Sequence, residues 1–130
     1  MKNTIKRIIT LSLVLLLCFS FAGCGAKYET ITADEAKALM DSETNCVVVD
    51  VRHNYEFILG HIENAINIDN DEIEEKAESI LTDKDQLILV YCRSGKRSKE
   101  SSAKLVKLGY TNVKNFGGII DWPYGTVTGQ

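Results

Sequence analysis

The stretch that decides the fold is Leu87-Ile88-Leu89-Val90-Tyr91-Cys92-Arg93-Ser94-Gly95-Lys96-Arg97-Ser98. An apolar run stops at a cysteine, a short loop rich in glycine, serine and cations follows, and a helical pattern begins. The run from Leu87 to Tyr91 has no polar face, so it reads as a strand buried on both sides, as in parallel sheets. The loop can aim several backbone N–H groups at one point, and the helix after it adds the positive end of its dipole. Arg93, Lys96, Arg97 and that helix terminus all favour the ionised form of Cys92. The competing reading is a structural cysteine at a strand end.

Outward from this stretch, Cys46 to Val51 forms a second run that is apolar on both faces. Two such runs with helices between them argue for a parallel α/β sheet. Shorter strands are expected over Tyr28 to Ile31, Ala65 to Ile68 and Val113 to Phe116. Thr32 and Glu35 make a capping box for a helix whose apolar stripe is Ala36, Leu39 and Met40. Tyr55 to Leu59 reads as a short helix stopped by Gly60. A longer one runs from about Asp71 to Leu81, capped by Asp69 or Asn70, with Ile73, Ala77 and Ile80 on one face. The helix after the cysteine loop runs to about Leu108 and closes at Gly109, with Ala103, Leu105, Val106 and Leu108 on its apolar side. Gly117-Gly118 then breaks the chain, and Ile119 to Trp122 makes a single turn ended by Pro123. Ligands of open α/β sheets collect beyond the carboxyl ends of the strands. Cys92 and the Asp50–His53 segment both lie at such ends.

The start of the 130-residue chain reads as a leader. Lys2, Lys6 and Arg7 give a basic start, and Ile8 to Phe21 is apolar apart from Thr10, Ser12 and Ser20. That has signal-peptide length and falls short of the roughly 20 apolar residues of a spanning helix. Phe21-Ala22-Gly23-Cys24 resembles a bacterial lipoprotein signal, whose cysteine is lipidated and becomes the mature N-terminus; Phe21 stands where leucine is usual. An uncleaved anchor or an ordinary secretory signal are the alternatives. The division expected is a signal peptide over 1–23, a lipidated N-terminus and short tether over 24–29, and one domain over 30–130, held against a membrane outside the cytoplasm. After cleavage, 12 basic residues face 18 acidic ones, a net charge of −6. Such a domain is a poor partner for nucleic acid or for an anionic lipid surface, so its membrane contact is the lipid alone.

Cysteine usage points the same way. Cys18 leaves with the signal and Cys24 is consumed by lipid, so Cys46 and Cys92 remain. If their strands are parallel neighbours, five residues put the two cysteines roughly 16 Å apart, beyond the reach of a disulfide. Cys92 is then a free thiol in an oxidising compartment, which calls for a functional explanation.

Several separated segments together resemble the rhodanese-like domains. They are Asp50-Val51-Arg52, Glu56-Phe57, Gly60-His61-Ile62, Ala65-Ile66-Asn67-Ile68, Tyr91 through Ser98, and Gly117-Gly118 followed by Trp122. The resemblance implies a five-stranded, mainly parallel sheet with helices on both faces, and a cysteine that carries sulfane sulfur as a persulfide. It implies a lipid-anchored single-domain sulfurtransferase with Cys92 as catalytic residue. Arg93, Ser94, Gly95, Lys96 and Arg97 would bind the donor, and no metal or organic cofactor is needed. The partners are a small sulfur-containing donor and a thiol, cyanide or protein acceptor. Thiolate attack on sulfur opens such a transfer, the cations steady the anionic leaving group, and the loop N–H groups surround the persulfide.

The main rival is a phosphatase or arsenate reductase of related fold, which needs C-x5-R. Counting from Cys92, that position is Ser98, and Arg97 comes one residue early. A non-catalytic module that senses persulfides or binds a partner is the third reading. Among the other polar residues, Asp50 and Arg52 are expected to form a structural ion-pair network with Glu56. His61 reads as structural, His53 by default as a surface histidine with the active-site rim as the alternative, Gly117-Gly118 and Trp122 as turn and packing residues, and Cys46 as a small core residue.

Overall fold

Strand β4, Leu87–Cys92, is buried along its whole length, and the sheet is built around it. The computed structural model describes residues 27–130; the expected signal peptide, with Cys18 and Cys24, lies outside the described residues. The elements run β1 Glu29–Thr30, α1 Ala33–Ser42, β2 Cys46–Asp50, α2 Asn54–Leu59, β3 Ile66–Asn67, α3 Ile73–Ile80, β4, α4 Lys96–Lys107 and β5 Val113–Gly118. A 3-10 turn, Ile119–Asp121, follows. The five strands lie in the order β1-β5-β4-β2-β3, all parallel.

Alternation along β4 explains the two layers of helix. Ile88, Val90 and Cys92 point into a core shared with Val49, Val51, Ile73, Ala77, Leu105 and Tyr110, so α3 and α4 cover that face. Leu87, Leu89 and Tyr91 point into a second core with Ala36, Val48, Phe57, Ile62 and Phe116, under α1 and α2. β2 lies beside β4 with Cys46 opposite Leu87 and Asp50 opposite Tyr91. Cys46 and Cys92 therefore sit at opposite ends of the sheet, and both are free.

The capping box forms as the sequence predicts: Thr32 Oγ1 accepts from Glu35 N, and Glu35 accepts from Thr32 N. Helix α3 starts later than expected, at Ile73. Residues 69–72 make a turn instead, closed by Glu72 N on Asp69 O at 2.8 Å, and the Asp69 side chain is spent on the Asp71 N–H and on His53. The inner face of α4 also differs. Beside Leu105 it buries Ser98, Ser101 and Ser102, small residues that let the helix approach the sheet next to the cysteine loop. Among the described residues no helix is long and apolar enough to cross a membrane.

Candidate active site: the Cys92 loop

Cys92 ends β4 only 1% exposed, and the loop after it folds back over its sulfur. Gly95 N–H points at Cys92 Sγ at 3.0 Å, and Ser98 Oγ lies 3.6 Å from it. Two glycines make this possible. Gly95 takes φ +107 where the loop enters α4, a left-handed conformation that side chains resist. At Gly118, a Cβ would stand 2.0 Å from the Arg93 carbonyl oxygen. A register shift in the β4–β5 pairing sets Cys92 against Gly118, and Ile120 N donates to Arg93 O. The glycine pair expected to be a simple turn thus forms the floor on which the loop rests. Asn115 Oδ1 accepts from Gly117 N at 3.2 Å, and Ser98 Oγ has the carbonyls of Gly95 and Gly117 at 3.0 and 3.3 Å. When Cys92 ionises, that hydroxyl can turn its one proton to the sulfur.

Burial is the largest influence on Cys92 and pushes its thiol up. The Ser98 hydroxyl and the N–H groups of Ser98, Gly95 and Ser94 together outweigh it, and the thiol ends below its ordinary value. The ring of donors, rather than the cations expected from sequence, leads this effect. Arg93 and Lys96 are exposed. Arg97 is tied to Glu56 by two bonds, Nη1 to Oε2 at 2.8 Å and Nη2 to Oε1 at 3.1 Å.

That pairing revises the expected ion network. Asp50, fully buried, holds Arg52 through Nε and Nη2, and Arg52 Nη2 also donates to Gly60 O at 2.6 Å. Asn67 Nδ2 braces the same segment on the carbonyls of Asp50 and Arg52. Glu56 belongs instead to Arg97, which with the His53 N–H holds its carboxyl down at about 2 against the opposing push of burial. The bond crosses from α2 to the cysteine loop and fixes one to the other. His53 is a half-exposed surface residue, the default expectation, but it is not alone: its Nδ1 lies 2.6 Å from Asp69 Oδ2. His61 is structural, with Nδ1 on Phe57 O and its ring stacked on Phe57.

Arg93, Arg52, Glu56, Leu59, Gly60, Ile119 and Ile120 line an open depression of about 270 Å³ beside the loop. For a metal, His53, Asp69 and Asp71 bring ligand atoms within 4.8 Å of one another. Their hydrogen bonds to each other already use both Asp69 oxygens, and we assign them no metal. Sequence reasoning misses Ser98 and Asp69 as site residues. For Ser98 the signal is its place at the sixth position after Cys92. Nothing in the sequence links Asp69 to His53, 16 residues away.

A cysteine buried at the carboxyl edge of a parallel sheet and ringed by hydrogen-bond donors defines an α/β domain built for thiolate chemistry. Residues 32–123 match the family of rhodanese-like domains, and the chain belongs to that family. It is 34% identical over 99 residues to the tRNA uridine(34) hydroxylase of Photorhabdus laumondii, covering 72% of this chain and 28% of that protein. The chain thus spans less than a third of that relative's length. Among solved structures it resembles a rhodanese with anions from E. coli at 33% identity and a TM-score of 0.61, covering 65% of this chain and 99% of that one. It also resembles a rhodanese-related protein from Thermoplasma volcanium at 33% identity and a TM-score of 0.67, covering 77% and 98%.

Proposed function

We propose that the protein moves sulfane sulfur from thiosulfate or a persulfide donor to a thiophilic acceptor through a persulfide on Cys92. The observation that carries this reading is the loop itself. Six residues, Cys92 to Arg97, close around one sulfur, with Gly95 N–H 3.0 Å from it and Ser98 where a phosphatase needs arginine. In the first half-reaction the Cys92 thiolate attacks the outer sulfur of thiosulfate. The donor S–S bond breaks and sulfite leaves with the electron pair. The product, Cys92–S–S⁻, is an anion in a pocket of N–H donors. In the second half the acceptor attacks the outer sulfur, and Cys92 leaves as thiolate; cyanide then departs as thiocyanate.

Within this reading Ser94 and Gly95 contribute N–H groups, while Arg93 and Lys96 offer exposed positive charge to an anionic donor. Arg97, held by Glu56, fixes the loop and adds a compensated charge. No cofactor is called for. The hydroxylase activity named for the longer relative is not carried over, because the shared segment is a small part of it and an acidic domain is a poor partner for nucleic acid. We further propose that Cys24 is lipidated and that the domain works outside the cytoplasm, anchored by that lipid; the motif Ala22-Gly23-Cys24 after a basic start and an apolar run supports this.

Two measurements test the function: thiocyanate formed from thiosulfate and cyanide, and intact mass after donor treatment. A gain of one sulfur atom that Cys92→Ser abolishes is expected. No gain, with Cys92→Ser behaving as the parent, overturns the reading, and hydrolysis of an aryl phosphate lost on that substitution promotes the phosphatase instead. Mass of the membrane-extracted form tests lipidation at Cys24.

A further inference from the structure

A thiol acceptor must lose its proton before it can attack the persulfide, and the cysteine loop holds no group to take it. Cys92 is the leaving group at this step, the loop offers only donors, and Glu56 is committed to Arg97. We propose that His53, oriented by Asp69, is the general base for thiol acceptors in the second half-reaction; the inference rests on the proposed sulfurtransferase activity.

The position follows from the sheet. β2 lies beside β4 with Asp50 opposite Tyr91, so the chain leaves β2 at the level of Cys92, one strand spacing of about 4.8 Å away. His53 comes two residues past that level, at the start of α2. It is joined to the cysteine loop by a chain of contacts: His53 N donates to Glu56 Oε2 at 3.0 Å, and Glu56 holds Arg97. On its other side Asp69, just past β3, receives Nδ1 at 2.6 Å, while Asp69 Oδ1 is fixed by the Asp71 N–H at 2.9 Å. The Tyr55 ring stacks on the imidazole at 5.8 Å between centroids.

These contacts leave a base with one working nitrogen. Nδ1–H is spent on the Asp69 carboxylate, so Nε2 is the nitrogen that exchanges protons, and the side chain is 43% exposed to an arriving acceptor. The groups that face it are Asp69, Asp71 and Glu56, whose negative charge favours the imidazolium, and Arg97, which opposes it; the net direction is upward from the ordinary value, led by the hydrogen bond to Asp69. The step balances. Nε2 takes the thiol proton, the acceptor sulfur bonds to the outer sulfur of Cys92–S–S⁻, the enzyme S–S bond breaks, and its electron pair leaves on Cys92. The new persulfide takes the proton back from His53.

The test uses the full chain loaded with thiosulfate, freed of donor, and discharged into three acceptors. 2-Mercaptoethanol must be deprotonated, whereas thionitrobenzoate is already ionised and sulfite, in alkaline buffer, is the proton-free dianion. His53→Gln is expected to slow discharge into 2-mercaptoethanol roughly a hundredfold and to shift the other two by less than about twofold. In the parent, that discharge falls as pH drops through the His53 pKa, and His53→Gln removes this inflection. Asp69→Asn, which can still accept the Asp71 N–H, moves the inflection down. Equal slowing of all three acceptors, or of none, overturns the inference. A parent chain that gains no sulfur from thiosulfate overturns the sulfurtransferase reading and the inference with it. That result is distinct from a persulfide whose discharge ignores His53.

Discussion

Cys46 and Cys92 stand at opposite ends of neighbouring strands, and their surroundings drive the two thiols apart. Cys46 is partly buried, and burial together with the Glu43 carboxylate raises its pKa. Cys92 is more deeply buried, and its thiol is nonetheless below the ordinary value. Burial alone would make Cys92 the less acidic of the pair. What reverses the order is the carboxyl end of the sheet, where a loop and a helix start turn N–H groups and a hydroxyl onto one sulfur. The amino end offers Cys46 a carboxylate and no such ring.

The largest effect expected from this contrast is all or nothing. Cys92→Ser should abolish sulfur uptake and thiocyanate formation, while Cys46→Ser should leave both within about twofold of the parent. Next comes the loop floor. Gly118→Ala drives a Cβ into the Arg93 carbonyl, and the clash should cost about 2–3 kcal/mol and lower Tm by roughly 5–15 °C, with transfer lost as the ring opens. Thermal unfolding and thiocyanate formation read the two losses. Ser98→Ala removes one donor and leaves the backbone donors. The inflection in the alkylation rate of Cys92 should move to higher pH, and that of Cys46 should stay in place.

The smallest effect is on stability in acid. Glu56 titrates at about 2 in the folded chain against an ordinary 4.5. A depressed carboxylate contributes stability above the unfolded pKa and loses it as pH falls through the folded one. Unfolding by denaturant should therefore show a contribution that is full above about pH 5 and fades between 4.5 and 2, and Glu56→Gln should flatten that part of the profile.

Much of this arrangement is legible in the order of the residues. The double-faced apolar runs at Cys46 and Leu87 announce a parallel sheet, and their lengths place the two cysteines at opposite ends. The capping box at Thr32 and the glycine stop at Gly60 mark real boundaries. What stays hidden in the sequence depends on the fold bringing distant residues together. Proximity along the chain groups Glu56 with Asp50 and Arg52, but its partner is Arg97, 41 residues on. Asp69 looks like a helix cap because aspartates before helices often are, and the tertiary contact with His53 claims it instead. The buried serines of α4 fall outside the apolar side that Ala103, Leu105, Val106 and Leu108 mark in the sequence; only the close approach of helix to sheet explains them. The acidity of Cys92 is foreshadowed by visible charges, yet it arises from the Ser98 hydroxyl and from backbone N–H groups that only the folded loop turns onto the sulfur.

The most direct test is the intact mass of the thiosulfate-treated chain, followed by peptide mapping of Cys46 and Cys92. A gain of one sulfur atom per chain, all of it on Cys92, is predicted. No gain, or sulfur carried equally by Cys46, would contradict the account.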